Sequence, residues 1–234
     1  NCPSCGGYKT FTVTNNMGKI LWNCYKASCR VSGARKIRVT VEDIRERLVP
    51  QSKHKDDTFI MPEWIVYGGN RTEIGNFVRD WGLDPTELFY DVKERRVVFP
   101  VKDNGVIVDA VGRSLGYRLP KWKRYGKNDL PFTYGCGKIA VVVEDCVSAS
   151  VVGNDVYLGV AVLGTSLSES HKKYLSQFST AIIALDPDAL PKTLSIAKDL
   201  RDVVDTVKVL RLQDDLKYGN EEDFLKLTNL TPKE

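Results

Sequence analysis

The chain has 234 residues, of which 42% are hydrophobic, 9% aromatic and 27% charged, with a formal net charge of +4. This composition is typical of a globular protein and excludes an intrinsically disordered chain. No segment is long and apolar enough to span a bilayer, and no signal-peptide pattern is present, so the sequence predicts a cytoplasmic protein that does not enter a membrane.

Four cysteines near the start of the chain form two close pairs, C-x2-C and C-x4-C, with eighteen residues between the pairs. They are Cys2, Cys5, Cys24 and Cys29. Two thiolate pairs at this spacing predict a tetrahedral zinc site, which is structural because four cysteines leave no open coordination position. Residues 8–14 and 20–24 alternate like strands around a turn at 15–18, as in a zinc ribbon.

The composition also divides the first half of the chain into segments. Residues 1–49 are predicted to form the zinc-binding ribbon, which includes a short helical pattern at 41–48. Residues 50–58 are polar and are predicted to be a flexible linker. A linker at this place would let the ribbon move relative to the rest of the chain.

Residues 59–135 are predicted to form a mixed α+β subdomain. An amphipathic helix is predicted over 72–81. Strands at 94–101 and 105–111 are predicted to pair as a hairpin around the Asp103-Asn104-Gly105 turn.

The segment 113–127 is basic and contains no acidic residue. Its cations are Arg113, Arg118, Lys121, Lys123, Arg124 and Lys127, and its aromatic residues are Tyr117, Trp122 and Tyr125. Cations that meet phosphates and rings that stack on bases favour a single-stranded nucleic acid as partner. The alternative is a solvated basic loop.

Residues 136–234 alternate between apolar runs and amphipathic segments. Strands are predicted at 139–143, 159–163, 180–185 and 207–212, and helices from about 147, then at 166–178, 189–204 and 221–227. Ser166 to Glu169 is predicted to be a capping box that opens the second helix. This alternation predicts a parallel sheet covered by helices on both faces, so the whole chain is α+β with a parallel α/β subdomain at its end.

Acidic residues follow three of the four predicted strands. They are Glu144 and Asp145, Asp186 and Asp188, and Asp214 and Asp215. Functional groups gather at the carboxyl ends of parallel strands. Clustered carboxylates repel one another unless a hard cation such as Mg²⁺ binds them, which indicates phosphoryl or nucleotidyl transfer. The alternative is that single acids cap the helices that follow.

In order and type, these motifs resemble those of DnaG-type DNA primases of bacteria and bacteriophages, which join a zinc ribbon to a Toprim domain. Glu144 is similar to the glutamate of the first Toprim motif, and Asp186 with Asp188 to its Asp-x-Asp motif. Asp215 is similar to the third acidic segment, with Asp214 as its rival. The resemblance implies that the final subdomain is a Toprim-type α/β fold.

Segments outside the acidic motifs extend this resemblance over nearly the whole chain. They are Arg96 to Pro100, Gly112-Arg113, Pro120-Lys121-Trp122 and the Leu163-Gly164-Thr165 segment. One departure concerns the first Toprim motif, where Asp145 and Ser148 stand in place of a glycine and a second acid. This departure leaves the number of magnesium ions open.

The resemblance implies template-directed synthesis of short RNA primers from ribonucleoside triphosphates on single-stranded DNA, with a replicative helicase as partner. The implied ligands of Mg²⁺ or Mn²⁺, which are also the catalytic residues, are Glu144, Asp186, Asp188 and Asp215. The predicted contacts to DNA or nucleotide are Arg96, Arg113, Lys121, Lys123, Arg124 and Trp22. The ribbon would recognise the template start site. The alternative for Trp22 is that it packs the ribbon's core.

Two other functions are compatible with parts of the pattern. A RecR-like recombination mediator joins a four-cysteine zinc site to a Toprim domain and binds DNA without catalysis, but it has no place for the Phe-Pro and Gly-Arg segments. A Toprim nuclease would not require the zinc ribbon.

Overall fold

The computed structural model describes residues 1–16, 19–26, 28–36, 58–69, 71–163 and 167–231. The predicted helix at 41–48 and all of the predicted linker at 50–58 except Thr58 lie outside the described residues, as do Gly164 and Thr165. The chain divides into two compact units, 1–57 and 58–234. The finer boundaries predicted at 49 and 135 stay predictions. Among the described residues, no helix has both the length and the apolar character needed to cross a membrane.

The first unit contains a three-stranded antiparallel sheet in the order β1-β2-β3. Its strands are β1 (Phe11–Asn16), β2 (Lys19–Cys24) and β3 (Ser32–Lys36). The sequence predicted the first two strands and missed β3, which has few apolar residues. Gly33 of β3 lies directly against Trp22, where an added Cβ would be 2.5 Å from the ring. Trp22 therefore packs on its neighbouring strand.

The second unit begins with a five-stranded antiparallel sheet in the order β4-β5-β6-β7-β8. Its strands are β4 (Ile65–Tyr67), β5 (Phe89–Asp91), β6 (Arg96–Asp103), β7 (Val106–Ser114) and β8 (Trp122–Arg124). The predicted hairpin of β6 and β7 is confirmed. Asn104 and Gly105 have φ values of 47° and 81°, as the tight turns of two-residue hairpins require.

Helix α1 (Gly75–Trp81) follows a 3₁₀ turn at Thr72–Ile74, so the helix predicted at 72–81 is present with a tighter first turn. It ends at Gly82, which has φ 59° and supplies the left-handed conformation that closes many helices.

The second sheet has the order β13-β12-β10-β11-β9. Its strands are β9 (Phe132–Tyr134), β10 (Ile139–Val143), β11 (Tyr157–Ala161), β12 (Thr180–Ile183) and β13 (Thr206–Val209). β10 to β13 are parallel, and only the edge strand β9 is antiparallel to its neighbour. The helices are α2 (Cys146–Val152), α3 (Glu169–Leu175), α4 (Leu190–Leu200) and α5 (Glu221–Leu230).

Strand β10 shows why this sheet is buried on both faces. Val141 and Val143 belong to one hydrophobic cluster, which includes residues of α2 and α5. Ala140 and Val142 belong to a second cluster with residues of α3 and α4. All four side chains are fully buried, because an apolar run with period 2 supplies both faces of a covered sheet. The predicted fold class, α+β with a parallel α/β subdomain, is confirmed.

The predicted start of the second helix of this subdomain was wrong by two residues. The helix α3 begins after Ser168, whose hydroxyl accepts the backbone N–H of His171 at 3.1 Å. His171 Nδ1 accepts the N–H of Ser168 at 3.4 Å in return. A histidine therefore fills the position for which the sequence pattern expects Glu or Gln.

Candidate active site

A cleft of ≈ 420 Å³ lies where the carboxyl ends of the parallel strands meet the basic strand β8. Glu144, Asp145 and Asp186 contribute acidic groups to it, and its cations are Lys121, Lys123, Arg124 and Lys217. The segment that the sequence allowed to be a solvated basic loop is thus partly a strand, β8, hydrogen-bonded to β7. Acidic and basic groups far apart in the chain line one concave surface, as in a binding site for a charged substrate.

Glu144 and Asp186 follow the adjacent parallel strands β10 and β12. Burial raises the pKa of Asp186, and the negative charge of Glu144 raises it further. Lys192, in the first turn of α4, lies with its Nζ 3.2 Å from Glu144 Oε1. Asp188 is exposed in the turn Pro187–Ala189, and its charge also raises the pKa of Asp186. This part of the cleft therefore carries excess negative charge.

Asp145 is held by two kinds of contact. Its Oδ1 accepts the backbone N–H groups of Val147 and Ser148 at 3.0 Å each, which makes it the N-cap of α2. Its Oδ2 lies 3.6 Å from Lys217 Nζ and 3.7 Å from an Arg113 guanidinium nitrogen. The sequence raised capping as the alternative for Asp145, and the structure shows capping together with ion pairing.

Asp215, predicted as a magnesium ligand, is also held by its neighbours. Its Oδ1 accepts the hydroxyl of Ser148 at 2.6 Å and the backbone N–H of Lys217 at 3.3 Å. Its Oδ2 is ion-paired with Lys217 Nζ. Both carboxylate oxygens therefore have partners within the chain. The rival Asp214 uses Oδ1 to accept the N–H of Asp215 at 2.8 Å.

Arg96 is the predicted nucleotide contact that the structure places least favourably for that role. Its side chain is fully buried. It donates to Glu94 Oε2 at 2.8 Å and to the carbonyl oxygen of Pro120 at 2.8 Å. These contacts hold the chain before β8, and the predicted role of Arg96 as a contact to DNA or nucleotide stays a prediction.

The side chains of Lys123 and Arg124 line the cleft and are both held by other groups of the protein. Lys123 Nζ donates to Glu94 Oε1 at 2.6 Å. Arg124 donates to the carbonyl oxygen of Leu130 at 2.7 Å and lies 3.5 Å from Asp109 Oδ2. Lys121 is exposed, and the described part of the chain offers it no ion-pair partner within 4.0 Å. Among the predicted cations, Lys121 is therefore the most accessible to a phosphate.

Arg113 is oriented by aromatic rings as well as by charge. Its guanidinium carbon lies 5.3 Å from the centroid of the Trp122 ring and 5.7 Å from that of Phe77. Cations at such distances over aromatic faces are attracted to them. The side chain is therefore held at the cleft beside Asp145.

The four cysteines of the first unit meet in one place. Their sulfur atoms all lie within 4.8 Å of one another. The Sγ atoms of Cys2 and Cys29 are 3.8 Å apart, as are those of Cys5 and Cys24. Two sulfurs at about 2.3 Å from one tetrahedral zinc ion would be about 3.8 Å apart. The group can therefore hold a metal ion with the geometry of a zinc site.

A hydroxyl group contacts this cysteine cluster, which consists of Cys2, Cys5, Cys24 and Cys29. Thr10 Oγ1 lies 3.4 Å from Cys24 Sγ. This contact, with the backbone N–H of Lys26, lowers the pKa of Cys24 to about 6. A thiol in its thiolate form is the ligand that a metal requires.

The strand-end carboxylates are arranged more openly than the cysteines. Across the described ranges, the four cysteines are the only group of three or more His, Cys, Asp or Glu residues whose ligand atoms all lie within 4.8 Å. Mg²⁺ commonly takes one or two protein carboxylates and completes its shell with water and phosphate oxygens. The carboxylate oxygens of Glu144 and Asp186 are donors of the kind that Mg²⁺ prefers, and the excess negative charge around Asp186 would attract it.

Sequence reasoning missed several groups that shape the cleft. They are Lys192, Lys217, Glu94 and, as a hydrogen-bond donor, Ser148. Lys217 had a local signal, since it follows Asp215 by two residues. Lys192 had none, because its partner Glu144 is 48 residues away. Glu94 has a near partner in Arg96, but its contact with Lys123 spans 29 residues.

No protein-family model matches the chain, and no curated protein matches it. Solved structures do. The primase fragment of the bacteriophage T7 primase-helicase protein is 19% identical, with 90% of this chain and 93% of that chain covered and a TM-score of 0.48. The E. coli primase catalytic core is 22% identical, with 68% and 60% covered and a TM-score of 0.45. A DNA primase domain from Pseudomonas aeruginosa is 22% identical, with 70% and 60% covered and a TM-score of 0.45.

The chain spans 58–61% of the length of the primase catalytic cores and domains that it matches. At these identities, and with TM-scores below 0.5, function has to be argued from the side chains of the site. The solved structures named above are described as primases or parts of primases.

Proposed function

We propose that this chain is a DnaG-type primase, which synthesises short RNA primers on single-stranded DNA. The observation that carries the proposal is the cleft in which Glu144 and Asp186 face the cations of the basic segment. Such a cleft can hold a triphosphate, whose metal-bound oxygens need carboxylates nearby and whose remaining charge needs cations.

The magnesium site would be formed by Glu144, Asp186 and Asp188. A Mg²⁺ ion bound there would neutralise negative charge on the triphosphate and orient the leaving pyrophosphate. Burial, and then the negative charge of Glu144, raises the pKa of Asp186, and crowded negative charge favours a divalent cation over an empty pocket. Mn²⁺ has the same preference for oxygen ligands and would substitute.

The basic residues would bind the polyanionic substrates. Lys121 is exposed at the cleft, so it is free to contact a phosphate. Tyr117, fully exposed at the tip of the preceding loop, offers a ring on which a template base can stack. Lys123 and Arg124 are anchored by protein groups, so they would contribute a fixed field more than a direct contact.

The cysteine cluster would hold one structural zinc ion, and the ribbon would recognise the template start site. Trp22 packs against Gly33, which leaves other rings better placed to stack on bases. Tyr8 and Tyr25 of the same unit are 73% and 70% exposed. One of the similar proteins is a primase-helicase, and a replicative helicase, fused or separate, is the proposed protein partner.

The test is a primer-synthesis assay with single-stranded DNA, Mg²⁺ and labelled ribonucleoside triphosphates. New short oligoribonucleotides are expected. Shortened DNA without synthesis would indicate a nuclease, and DNA binding without any new product would indicate a recombination mediator. Either result would overturn the proposal.

Asp186→Ala should abolish primer synthesis, because it removes a carboxylate of the magnesium site. The variant should fold normally, since this side chain has no ion pair within 4.0 Å in the described structure. Asp202→Ala, at an exposed acid beyond α4, is the matched control and should synthesise at the wild-type rate. Retained synthesis in folded Asp186→Ala would contradict the assignment.

A further inference from the structure

Of the six carboxylates that follow the parallel strands, Asp214 accepts the N–H of Asp215, and the other five divide into two sets with different charge balance. Asp145 and Asp215 are accompanied by two cations, Lys217 and Arg113. Glu144, Asp186 and Asp188 have one cation within ion-pair distance (4.0 Å), Lys192, among the residues that the structure describes. The first set is therefore neutral in formal charge, and the second carries a net charge of about −2 at neutral pH.

Lys217 is the centre of the neutral set. Its side chain is only 8% exposed, and its Nζ contacts Oδ2 of Asp215 and lies 3.6 Å from Oδ2 of Asp145. The remaining oxygens, Oδ1 of each carboxylate, accept hydrogen bonds from Ser148 and neighbouring backbone N–H groups. All four oxygens thus have partners, so a cation that entered here would have to displace Lys217.

Local structure keeps Lys217 in this position. It lies in a 3₁₀ turn, Leu216–Tyr218, which Asp215 caps and which ends at Gly219 with φ 68°. Leu216 is 1% exposed and packs in the hydrophobic core. Removing one partner of a buried ion pair leaves an uncompensated charge and is strongly destabilising, so the ammonium group cannot leave without cost.

We infer that Lys217 is a built-in cation that bridges Asp145 and Asp215 in place of a second divalent ion, so that the active centre binds a single Mg²⁺ at Glu144, Asp186 and Asp188. The inference rests on the proposed function for the position of that one ion. Lys217 also lines the cleft, so its ammonium group lies beside the space that the triphosphate would occupy.

The experiment counts bound Mn²⁺ by electron paramagnetic resonance in the full, zinc-loaded chain. Wild type should bind one Mn²⁺ that is lost in Asp186→Ala. Lys217→Met should bind two, because the freed carboxylates of Asp145 and Asp215 then need a cation. Lys172→Met removes a lysine that pairs with Glu169 on the surface, and this control should still bind one.

Two Mn²⁺ ions in wild type, or a single one in folded Lys217→Met, would overturn the inference while leaving the proposed function standing. No Asp186-dependent Mn²⁺ in wild type would instead overturn the proposed magnesium site and the inference with it. Lys217→Gln, which is neutral but keeps a hydrogen-bonding end, carries the same expectation of two ions if Lys217→Met does not fold. If neither variant folds, the number of Mn²⁺ ions bound by wild type decides: one supports the inference, and two overturn it.

Discussion

Glu94 holds two cations of different strands with one carboxylate. Its Oε2 accepts from Arg96 of β6 at 2.8 Å, and its Oε1 accepts from Lys123 of β8 at 2.6 Å. Arg96 in turn donates to the carbonyl oxygen of Pro120. These contacts connect the short strand β8, which carries two of the cleft's cations, to the central strand of its sheet. Lys123, and then Arg96, lower the pKa of Glu94 to about 2.

Glu94→Gln should destabilise the second unit in a pH-dependent way. A carboxyl group with a lowered pKa contributes stability above its unfolded pKa, here 4.5, and loses it as the pH falls toward 2. The side chain is 27% exposed, so screening reduces the effect to about 1–2 kcal/mol at pH 7. Urea unfolding of wild type and variant from pH 7 to pH 3 measures the difference, which should shrink below pH 4.5.

Glu73→Gln is the matched control for this experiment. Glu73 pairs with Arg71 at 3.7 Å and is 41% exposed, so its loss should change the free energy of unfolding by less than about 0.5 kcal/mol. A Glu94→Gln effect that stays constant across this pH range would contradict the role of the ionised carboxylate.

The close contact between β11 and α2 fixes the position of α2, and with it the positions of Asp145 and Ser148. A Cβ added at Gly159 of β11 would lie 2.0 Å from the carbonyl oxygen of Ala149. Backbone therefore approaches backbone so closely that only glycine fits at this position. The same helix begins at Asp145 and carries Ser148, so a shift of α2 would reach the cleft.

Gly159→Ala should lower the free energy of unfolding by about 1–3 kcal/mol, because the helix or the strand must move to admit the methyl group. Gly116→Ala is the control, since nothing lies within 4 Å of a Cβ there, and it should be near neutral. Equilibrium denaturation of both variants measures the difference. Equal stability of the two variants would show that the α2–β11 contact tolerates expansion.

Elements with long apolar or amphipathic patterns were predicted from sequence, and short ones were not. β10, β6 and α4 were found because burial imposes a period on many consecutive residues. Four strands of three residues each, namely β4, β5, β8 and β9, are too short to show alternation. They exist because neighbouring strands supply hydrogen-bond partners, and that information is not local.

The molecule consists of two units with different sources of stability. The second unit has hydrophobic clusters on both faces of its parallel sheet. In the first unit, the buried hydrophobic residues among those described are Cys2 and Cys24. Both belong to the cysteine cluster. A small sheet with so little apolar burial would depend for folding on the zinc ion that we propose these cysteines hold.

Zinc removal should therefore unfold the first unit alone. A strong chelator should collapse the nuclear magnetic resonance signals of β1, β2 and β3 toward random-coil positions, and those of β10 to β13 should persist. Cys24→Ser should reproduce this without chelator. Cys136→Ser, at an exposed cysteine outside the cluster, should not. Persistence of the β1–β3 signals in Cys24→Ser would contradict a metal-dependent fold.

The sequence by itself determined the features that depend on near neighbours: the cysteine pairs, the apolar strands of the parallel sheet and the acids that follow them. Only the tertiary structure decided which acids remain available to a cation. Lys217 neutralises Asp145 across 72 positions of the chain, and Arg113 reaches the same carboxylate from β7. Charge balance depends on distances in space, and spacing along the chain does not encode those distances when the partners lie on different elements.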